Sequence, residues 1–228
     1  MDTIGSTAAP VEEVQRRADR AANDGLFLGG PRGTFAQSGV RQLRALVGDG
    51  MVPQSMVADV GCGALRGGYW LIHHLDSGRY CGVEPSEAFL QTGLGYILES
   101  NVRRWKKPRF ELRSDFDLSA FGETFDFVLA AGILNHAAKR HVDALFASFA
   151  KVATRGGVLL AQYKQAGRGR DYQGRRWVGR SHERGQPGYV RHNFERLATL
   201  GERCDLAVEH YDSLGGAGGP SWIRATRS

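Results

Sequence analysis

The stretch "VADVGCGALRGG", residues 57–68, decides how this chain is read. An apolar run interrupted by Asp59 gives way to four glycines within eight residues. A buried strand ending in such a turn lets the backbone bend sharply and approach a ligand with no Cβ in the way. The spacing is Gly61-x-Gly63-x-x-x-Gly67, one residue longer than the G-x-G-x-x-G pattern that cradles a dinucleotide pyrophosphate. Asp59 stands two residues before the first glycine, a poor neighbour for a pyrophosphate and a good one for an ammonium group. Glu84 ends the next apolar run, "RYCGVEP", where a carboxylate can accept both ribose hydroxyls.

Outward from this turn, strand and helix patterns alternate. "SMVADVG" reads as a buried strand and "GGYWLIHHL" as a helix, then "RYCGVEP" as a strand and "SEAFLQTGLGYILES" as a helix. "RFELRSD" and "FDFVLAAG" are strands, "AKRHVDALFASFAKVA" a helix, and "GGVLLAQY" a fifth strand. The helix "NFERLATLG" and the strands "LAVEHYDS" and "SWIRATR" close the chain, the last two joined through the glycine-rich "LGGAGG" and expected to pair antiparallel. Helices are also expected at 10–22, with proline at its start, and at 35–48. Such alternation implies an α/β fold with a mostly parallel sheet covered by helices on both faces. Ligands of such sheets bind beyond the carboxyl ends of the strands, beside the first one.

The composition is that of an ordinary globule, with 42% hydrophobic residues among 228. No apolar run approaches the roughly 20 residues of a membrane span, and no export signal opens the sequence, so a cytoplasmic protein without membrane partners is expected. Three unpatterned cysteines, Cys62, Cys81 and Cys204, suit a reducing compartment and argue against a zinc site. The net charge of +6 resides in one segment, residues 164–191, while the remainder balances at 22 positive and 22 negative. That segment is expected to be a long loop without regular structure, with Tyr172, Trp177 and Tyr189 among its arginines.

A ribose-bearing ligand with a cationic tail and no phosphate fits the acids around the glycine turn, and S-adenosylmethionine is such a ligand. At these residues the sequence resembles the class I S-adenosylmethionine-dependent methyltransferases. "VADVGCG" is similar to their first motif and "GVEP" to their second. "SDFD" (114–117) is similar to the turn after the third strand, and "FDFVLAAGILNH" to the fourth strand and its loop. The form "GCGALRGG" is similar to that of a bacterial subgroup.

The resemblance implies a Rossmann-like fold with a seven-stranded sheet in the order 3-2-1-4-5-7-6, strand 7 antiparallel. It covers residues 35–228 as one methyltransferase domain, with residues 1–34 expected to cap the acceptor site. It implies that Gly61, Cys62 and Gly63 border the methionine part of the cofactor and Asp59 holds its amino group. Glu84 takes the ribose, Pro85 lies near the adenine, and Asp115 with the Phe116 backbone meets the adenine edge. Ala130 and Ala131 offer carbonyls. The product is S-adenosylhomocysteine, and no metal is expected, because the fourth and fifth strands end in "AAGILN" and "AQYK" rather than in aspartates.

The sulfonium is already an activated methyl donor, so positioning, water exclusion and removal of one proton suffice. His136, just past the fourth strand, is the candidate base, and Tyr163, ending the fifth, a candidate substrate contact. Phe27, Arg175, Arg176 and Trp177 are candidate acceptor contacts, since guanidinium binds carboxylate or phosphate bidentately. His182 and His192 flank the basic segment and can face a substrate. Arg66 is the least expected residue of the turn, able to pair with a carboxylate or simply to be solvated.

The expected reaction is methylation of an oxygen, or less favourably a nitrogen, of a small metabolite such as a natural-product or sugar intermediate, an anionic one among the candidates. RNA or peptide methylation, with the substrate docked on the arginines of 164–191, is the alternative. A non-catalytic cofactor-binding module and a dehydrogenase stand further off.

Overall fold

A computed structural model describes residues 8–169, the backbone of 172–173, and residues 190–211 and 221–228. Seven strands form one sheet: β1 (Val57–Val60), β2 (Tyr80–Val83), β3 (Arg109–Glu111), β4 (Phe125–Ala130), β5 (Ala153–Tyr163), β6 (Leu206–His210) and β7 (Ser221–Arg227). Their order is β3-β2-β1-β4-β5-β7-β6, as the sequence leads one to expect. β1 pairs parallel with β4, β4 with β5, and β2 with β3, whereas β7 runs antiparallel to both β5 and β6. The reversal has a simple cause. Only residues 211–220 separate β6 from β7, and a parallel crossover needs a dozen or more. All four residues of β1, and all four of β2, are buried, which is why both read as apolar runs rather than alternating ones.

The chain forms two compact units, Met1–Ser55 with Cys62–Arg113, and Met56–Gly61 with Ser114–Ser228. The first contains α1 (Val11–Asn23), α2 (Phe35–Gly48), α3 (Gly68–His74), α4 (Glu87–Thr92), α5 (Ser100–Lys106), β2 and β3. Pro10 precedes α1, Glu12 and Glu13 occupy its first turn, and Val14, Ala18 and Ala21 form its buried face. Arg17 anchors this helix through Glu99 at 2.6 Å and the Ile97 carbonyl at 2.9 Å. Tyr69 donates to the same carboxylate, and His73 Nε2 lies 3.2 Å from it. Burial works against the charge of Glu99, but the His73 and Arg17 contacts prevail and hold its carboxyl at about 2.

The expected helix over "SEAFLQTGLGYILES" is interrupted. α4 ends at Thr92, a π-helical turn follows at Gly93–Ile97, and α5, which the sequence reading leaves out, begins at Ser100. Gly93 and Gly95 weaken the helix from within. Gly93 is also pressed against residues 64 and 65, where a Cβ would stand 2.8 Å from the Ala64 backbone and from the Leu65 side chain.

The second unit holds β1, β4–β7, α6 (Lys139–Val152) and α7 (Phe194–Glu202). α6 buries Val142, Leu145, Phe146, Phe149 and Val152 on one face. The segment 164–191 was expected to lack regular structure, and this is corrected at its ends. Tyr172–Gln173 pairs antiparallel with Arg191–His192, and Gln165 bridges to His192. The anchor of this ribbon is the buried His192 described below. Among the described residues no helix is long and apolar enough to cross a membrane.

Candidate functional site

In the first unit the glycine turn is fastened to the end of β2 by two backbone donors. The Cys62 N–H donates to the Val83 carbonyl at 3.1 Å, and the Gly63 N–H to Glu84 Oε2 at 2.9 Å. Glu84 Oε1 accepts the Ser86 N–H, also at 2.9 Å. Glu84 is buried, which pushes its carboxyl above the usual range, while the Ser86 and Gly63 donors pull it back. Each of its oxygens thus has one partner within the protein and capacity for a second. Pro85, next to it, is exposed.

Gly63 adopts φ +52°, and Leu65, two residues on, adopts φ +61° with its side chain fully buried. A left-handed leucine costs about 1–2 kcal/mol. Its side chain offsets this by filling the space left by two glycines, Gly68 and Gly93. Gly68 is therefore a packing residue, since a Cβ there would overlap the Tyr80 hydroxyl and stand 3.0 Å from Leu65 Cδ2. Cys62 is buried, with its Sγ against Gly82. Phe27 is 43% exposed, and its ring lies 5.4 Å from that of Phe89. Arg66, in the same unit, lies over the Phe35 ring at 5.0 Å and donates to the Leu28 carbonyl at 3.3 Å.

In the second unit Asp59 is a buried carboxylate on β1, in register with Leu129 of β4. Gly61, at φ +72°, lies under Ile133, whose side chain a Cβ would overlap. Phe116 also has a left-handed backbone, φ +58°, and packs its buried ring edge-on to His141. Its two acidic neighbours differ. Asp117 caps the 3-10 turn Leu118–Phe121 by accepting from the Ser119 N–H and hydroxyl, at 3.0 and 2.6 Å. Asp115 is exposed, and its Oδ1 accepts the Asp117 N–H at 3.2 Å. Ala130 is buried at the end of β4, and Ala131 is half-buried.

The loop after β4 carries His136, half-buried, its N–H donating to the Ile133 carbonyl at 2.9 Å. The same loop receives the chain that returns from the basic segment. The Val190 N–H donates to the Asn135 carbonyl at 2.7 Å, and His192 Nε2 lies 3.0 Å from the Leu134 carbonyl. His192 is fully buried, and its imidazole is held down at about 4 by burial and by Arg196, against the pull of the Leu134 and Ala137 carbonyls and Asp143. Its expected freedom to face a substrate is thereby corrected, because the ring is enclosed as a neutral strut.

Tyr163 is fully buried, in register with Ser221 of β7; its hydroxyl has no hydrogen-bond partner among the described residues, and burial raises its pKa. Arg175, Arg176, Trp177 and His182 lie outside the described residues.

The sequence reading missed Ile133, whose only signal was its position after "LAAG", and Asn135, a buried amide 3.5 Å from Gln162 whose Oδ1 has no hydrogen-bond partner among the described residues. It also missed a second basic stretch, residues 103–113, with six basic residues against Glu111 alone and an exposed Trp105. Among the described residues no group of three or more His, Cys, Asp or Glu is placed to hold a metal ion.

Comparison with known proteins bears on this arrangement. Residues 58–159 match the model of a methyltransferase domain. No curated protein matches the sequence. The fold is similar to that of magnesium protoporphyrin IX methyltransferase from Synechocystis PCC 6803, solved with bound S-adenosylhomocysteine, at TM-score 0.59 and 17% identity over 93% of this chain and 94% of that one. It is similar to a chain in the complex between the Trm112 methyltransferase activator and a putative methyltransferase of Haloferax volcanii, at TM-score 0.62 and 14% identity over 94% and 97%. A glycopeptide N-methyltransferase solved with S-adenosylmethionine gives TM-score 0.61 at 14% identity over 83% and 94%. The methyltransferase-domain match runs from β1 into β5, and the strand order of the sheet is the one expected from the order of the motifs, so the fold is similar to that of S-adenosylmethionine-dependent methyltransferases.

Proposed function

We propose that this protein is a methyltransferase that moves the methyl group of S-adenosylmethionine to an oxygen, and less readily to a nitrogen, of a small metabolite. The observation that carries the cofactor assignment is Glu84, a buried carboxylate held by the Gly63 and Ser86 N–H groups at the end of β2. A carboxylate so fixed is preorganised to accept the two ribose hydroxyls with its remaining lone pairs. In this reading Asp59 takes the amino group of the methionine end, Gly61, Cys62 and Gly63 border that end, and Pro85 lies near the adenine. Asp115 receives the adenine amino group, because Asp117 is spent on its cap. The Phe116 backbone and the Ala130 and Ala131 carbonyls complete the set.

The cofactor supplies an electrophilic methyl, and the protein supplies alignment and a proton acceptor. His136 is the proposed base for a hydroxyl acceptor, an imidazole being suited to proton transfer near neutrality. The hydrogen bonds from residues 190–192 to the His136 loop support a role for the arginines of 164–191, Arg175 and Arg176 among them, and for Trp177, in holding the acceptor. Phe27, in the segment 1–34, is a further proposed acceptor contact.

Calorimetric titration with S-adenosylhomocysteine tests the assignment. Asp59→Ala and Glu84→Ala are each expected to weaken binding at least tenfold, about 1.4 kcal/mol. Wild-type affinity in both variants, or NADH binding tighter than S-adenosylhomocysteine, would sink it. His136→Ala is expected to lower kcat roughly a hundredfold with a hydroxyl acceptor while leaving the cofactor titration unchanged.

A further inference from the structure

The second basic stretch, residues 103–113, begins in α5 of the first unit. That helix closes with Arg103, Arg104 and Lys106 in its last turn, and Lys107 follows in a left-handed conformation at φ +47°. The link between α3 and β2 is fastened to this turn. The Ser77 hydroxyl donates to the Trp105 carbonyl at 2.8 Å, and the Gly78 N–H to the Lys106 carbonyl at 2.7 Å. Lys106 Nζ donates to the Leu75 carbonyl, also at 2.7 Å. Arg79, next to Gly78, is thereby brought to the same corner. Arg79, Arg103, Arg104 and Lys107 are all exposed, and none has a carboxylate within salt-bridge distance among the described residues. Asp76, the acid nearest Arg79 in the sequence, accepts from Gln54 Nε2 at 3.1 Å. Trp105 stands among these cations, 48% exposed.

Two ordinary explanations fall short. Cations at a helix C-terminus complement its dipole, and cations beside an edge strand, as β3 is here, discourage edge-to-edge pairing. One or two charges meet either purpose, and neither calls for an exposed indole. The residue that closes a helix in the left-handed conformation is usually glycine, and here it is a lysine.

We infer that this corner is a docking surface for single-stranded nucleic acid, with Arg79, Arg103, Arg104 and Lys107 on the phosphates and Trp105 as a stacking platform for a base.

The composition favours this occupant over a protein or a membrane. The patch is charge around one aromatic ring. A protein interface or a bilayer needs an apolar centre, whereas nucleic acid sites are strongly positive. An indole among cations offers its π-face to a base, and a single strand leaves its bases free to use it. β2 and β3 run parallel, with Arg79 and Lys107 ahead of their first residues and Glu84 after the last residue of β2. The corner is therefore at the opposite end of β2 from Glu84, roughly 15 Å away by strand rise. Docking there is independent of the cofactor assignment.

Fluorescence anisotropy of a labelled oligouridylate of about a dozen nucleotides tests the surface. The wild-type protein should bind it with an affinity that falls steeply with added salt. Combined Arg103→Ala, Arg104→Ala and Lys107→Ala substitution is expected to weaken binding about tenfold or more. The slope of log affinity against log salt should drop by about 2, at roughly 0.7 for each lost phosphate contact. Trp105→Ala is expected to weaken binding about fivefold or more, and Trp105→Phe to recover most of that. Arg79→Ala, outside the helix, should cost about threefold and keeps the test open if the helix variant melts early. Wild-type affinity in the helix variant and in Arg79→Ala overturns the assignment, as does an oligouridylate that the wild-type protein fails to bind. A loss with Arg175→Ala and Arg176→Ala but not with the helix variant overturns it too, and moves the nucleic acid to the other basic segment. An oligoglutamate peptide that competes as well as the RNA would make the partner an acidic protein instead. Duplex RNA bound as tightly as the single strand would leave the indole without its role and remove the single-strand assignment.

Discussion

The two units arrange their functional loops by opposite electrostatic means. In the first, charged groups do the fastening. The Glu84 carboxylate bridges two backbone donors, Glu99 gathers Arg17, Tyr69 and His73, and Arg66 holds its charge over Phe35. In the second, the loop after β4 is tied by neutral groups, the Leu134 and Asn135 carbonyls and the uncharged His192. With Nε2 donating to Leu134, Nδ1 is left to face the Arg196 guanidinium at 3.4 Å, an arrangement suited to the neutral ring. The difference teaches where each loop is vulnerable: steric intrusion or loss of a charge loosens the first, and mild acid loosens the second.

The largest effect is expected from Gly39→Ala in the first unit. A Cβ there would overlap the Arg66 carbonyl and stand 2.6 Å from the Trp70 ring, so Arg66 must shift. A cost of roughly 3 kcal/mol in chemical denaturation is expected, with weakened S-adenosylhomocysteine binding. Wild-type stability and affinity together would show that the turn is not held by this contact.

Acid should strike the second unit. His192 is depressed to about 4 from an ordinary 6.5, so the unfolded chain binds the extra proton between these values. Stability therefore rises with pH in that window. The contribution is whole above about 6.5 and lost as pH falls through about 4, amounting to about 3 kcal/mol at most. Urea denaturation at pH 7 and pH 4.5 measures it. His192→Gln, which keeps an N–H donor and cannot titrate, should flatten the pH dependence. An unchanged slope would mean that the imidazole is not the acid-sensitive strut.

Glu84→Ala comes next, at about 2 kcal/mol, because it strands the Gly63 and Ser86 donors. Glu84→Gln should recover part of that stability through its amide oxygen while losing the paired acceptors for ribose. Stability and affinity thus separate in this pair of variants. If the glutamine restored both, the carboxylate's charge would have no part in binding.

The strand order, the antiparallel last strand and the bounds of α2 were legible because they follow from local patterns: apolar runs of strand length, a helix-length apolar stripe, and a link too short to cross over. Glu84 was legible from its place at the end of an apolar run. What escaped depends on contacts distant in sequence. Gly93 breaks its helix partly because it lies on Ala64 and Leu65, and nothing in "QTGLGY" announces that neighbour. Leu65 occupies a backbone conformation that favours glycine, and the cost is offset by two glycines, one three residues away and the other in the π-helical turn after α4. His192 read as a loop histidine because its carbonyl partner belongs to residue 134. The basic stretch 103–113 was hidden in a balanced total, since charges summed over the remainder of the chain erase a local cluster.

The smallest expected effect is the most discriminating for the turn after β3. Asp117 and Asp115 are two residues apart and chemically identical, and the sequence leaves either able to meet an adenine amino group. The capping geometry divides their work. Asp117→Ala removes the acceptor for the Ser119 N–H and should cost about 1 kcal/mol of stability. Asp115 is exposed at the surface of the turn, so Asp115→Ala should change stability by less than about 0.5 kcal/mol. It should nevertheless weaken S-adenosylhomocysteine several-fold, roughly 1 kcal/mol for one lost hydrogen bond. Measuring both quantities on both variants tests the division directly. If Asp117→Ala lowered affinity without lowering stability, the cap and the adenine contact would have to exchange residues, and the second unit would hold its ligand one turn further along the chain.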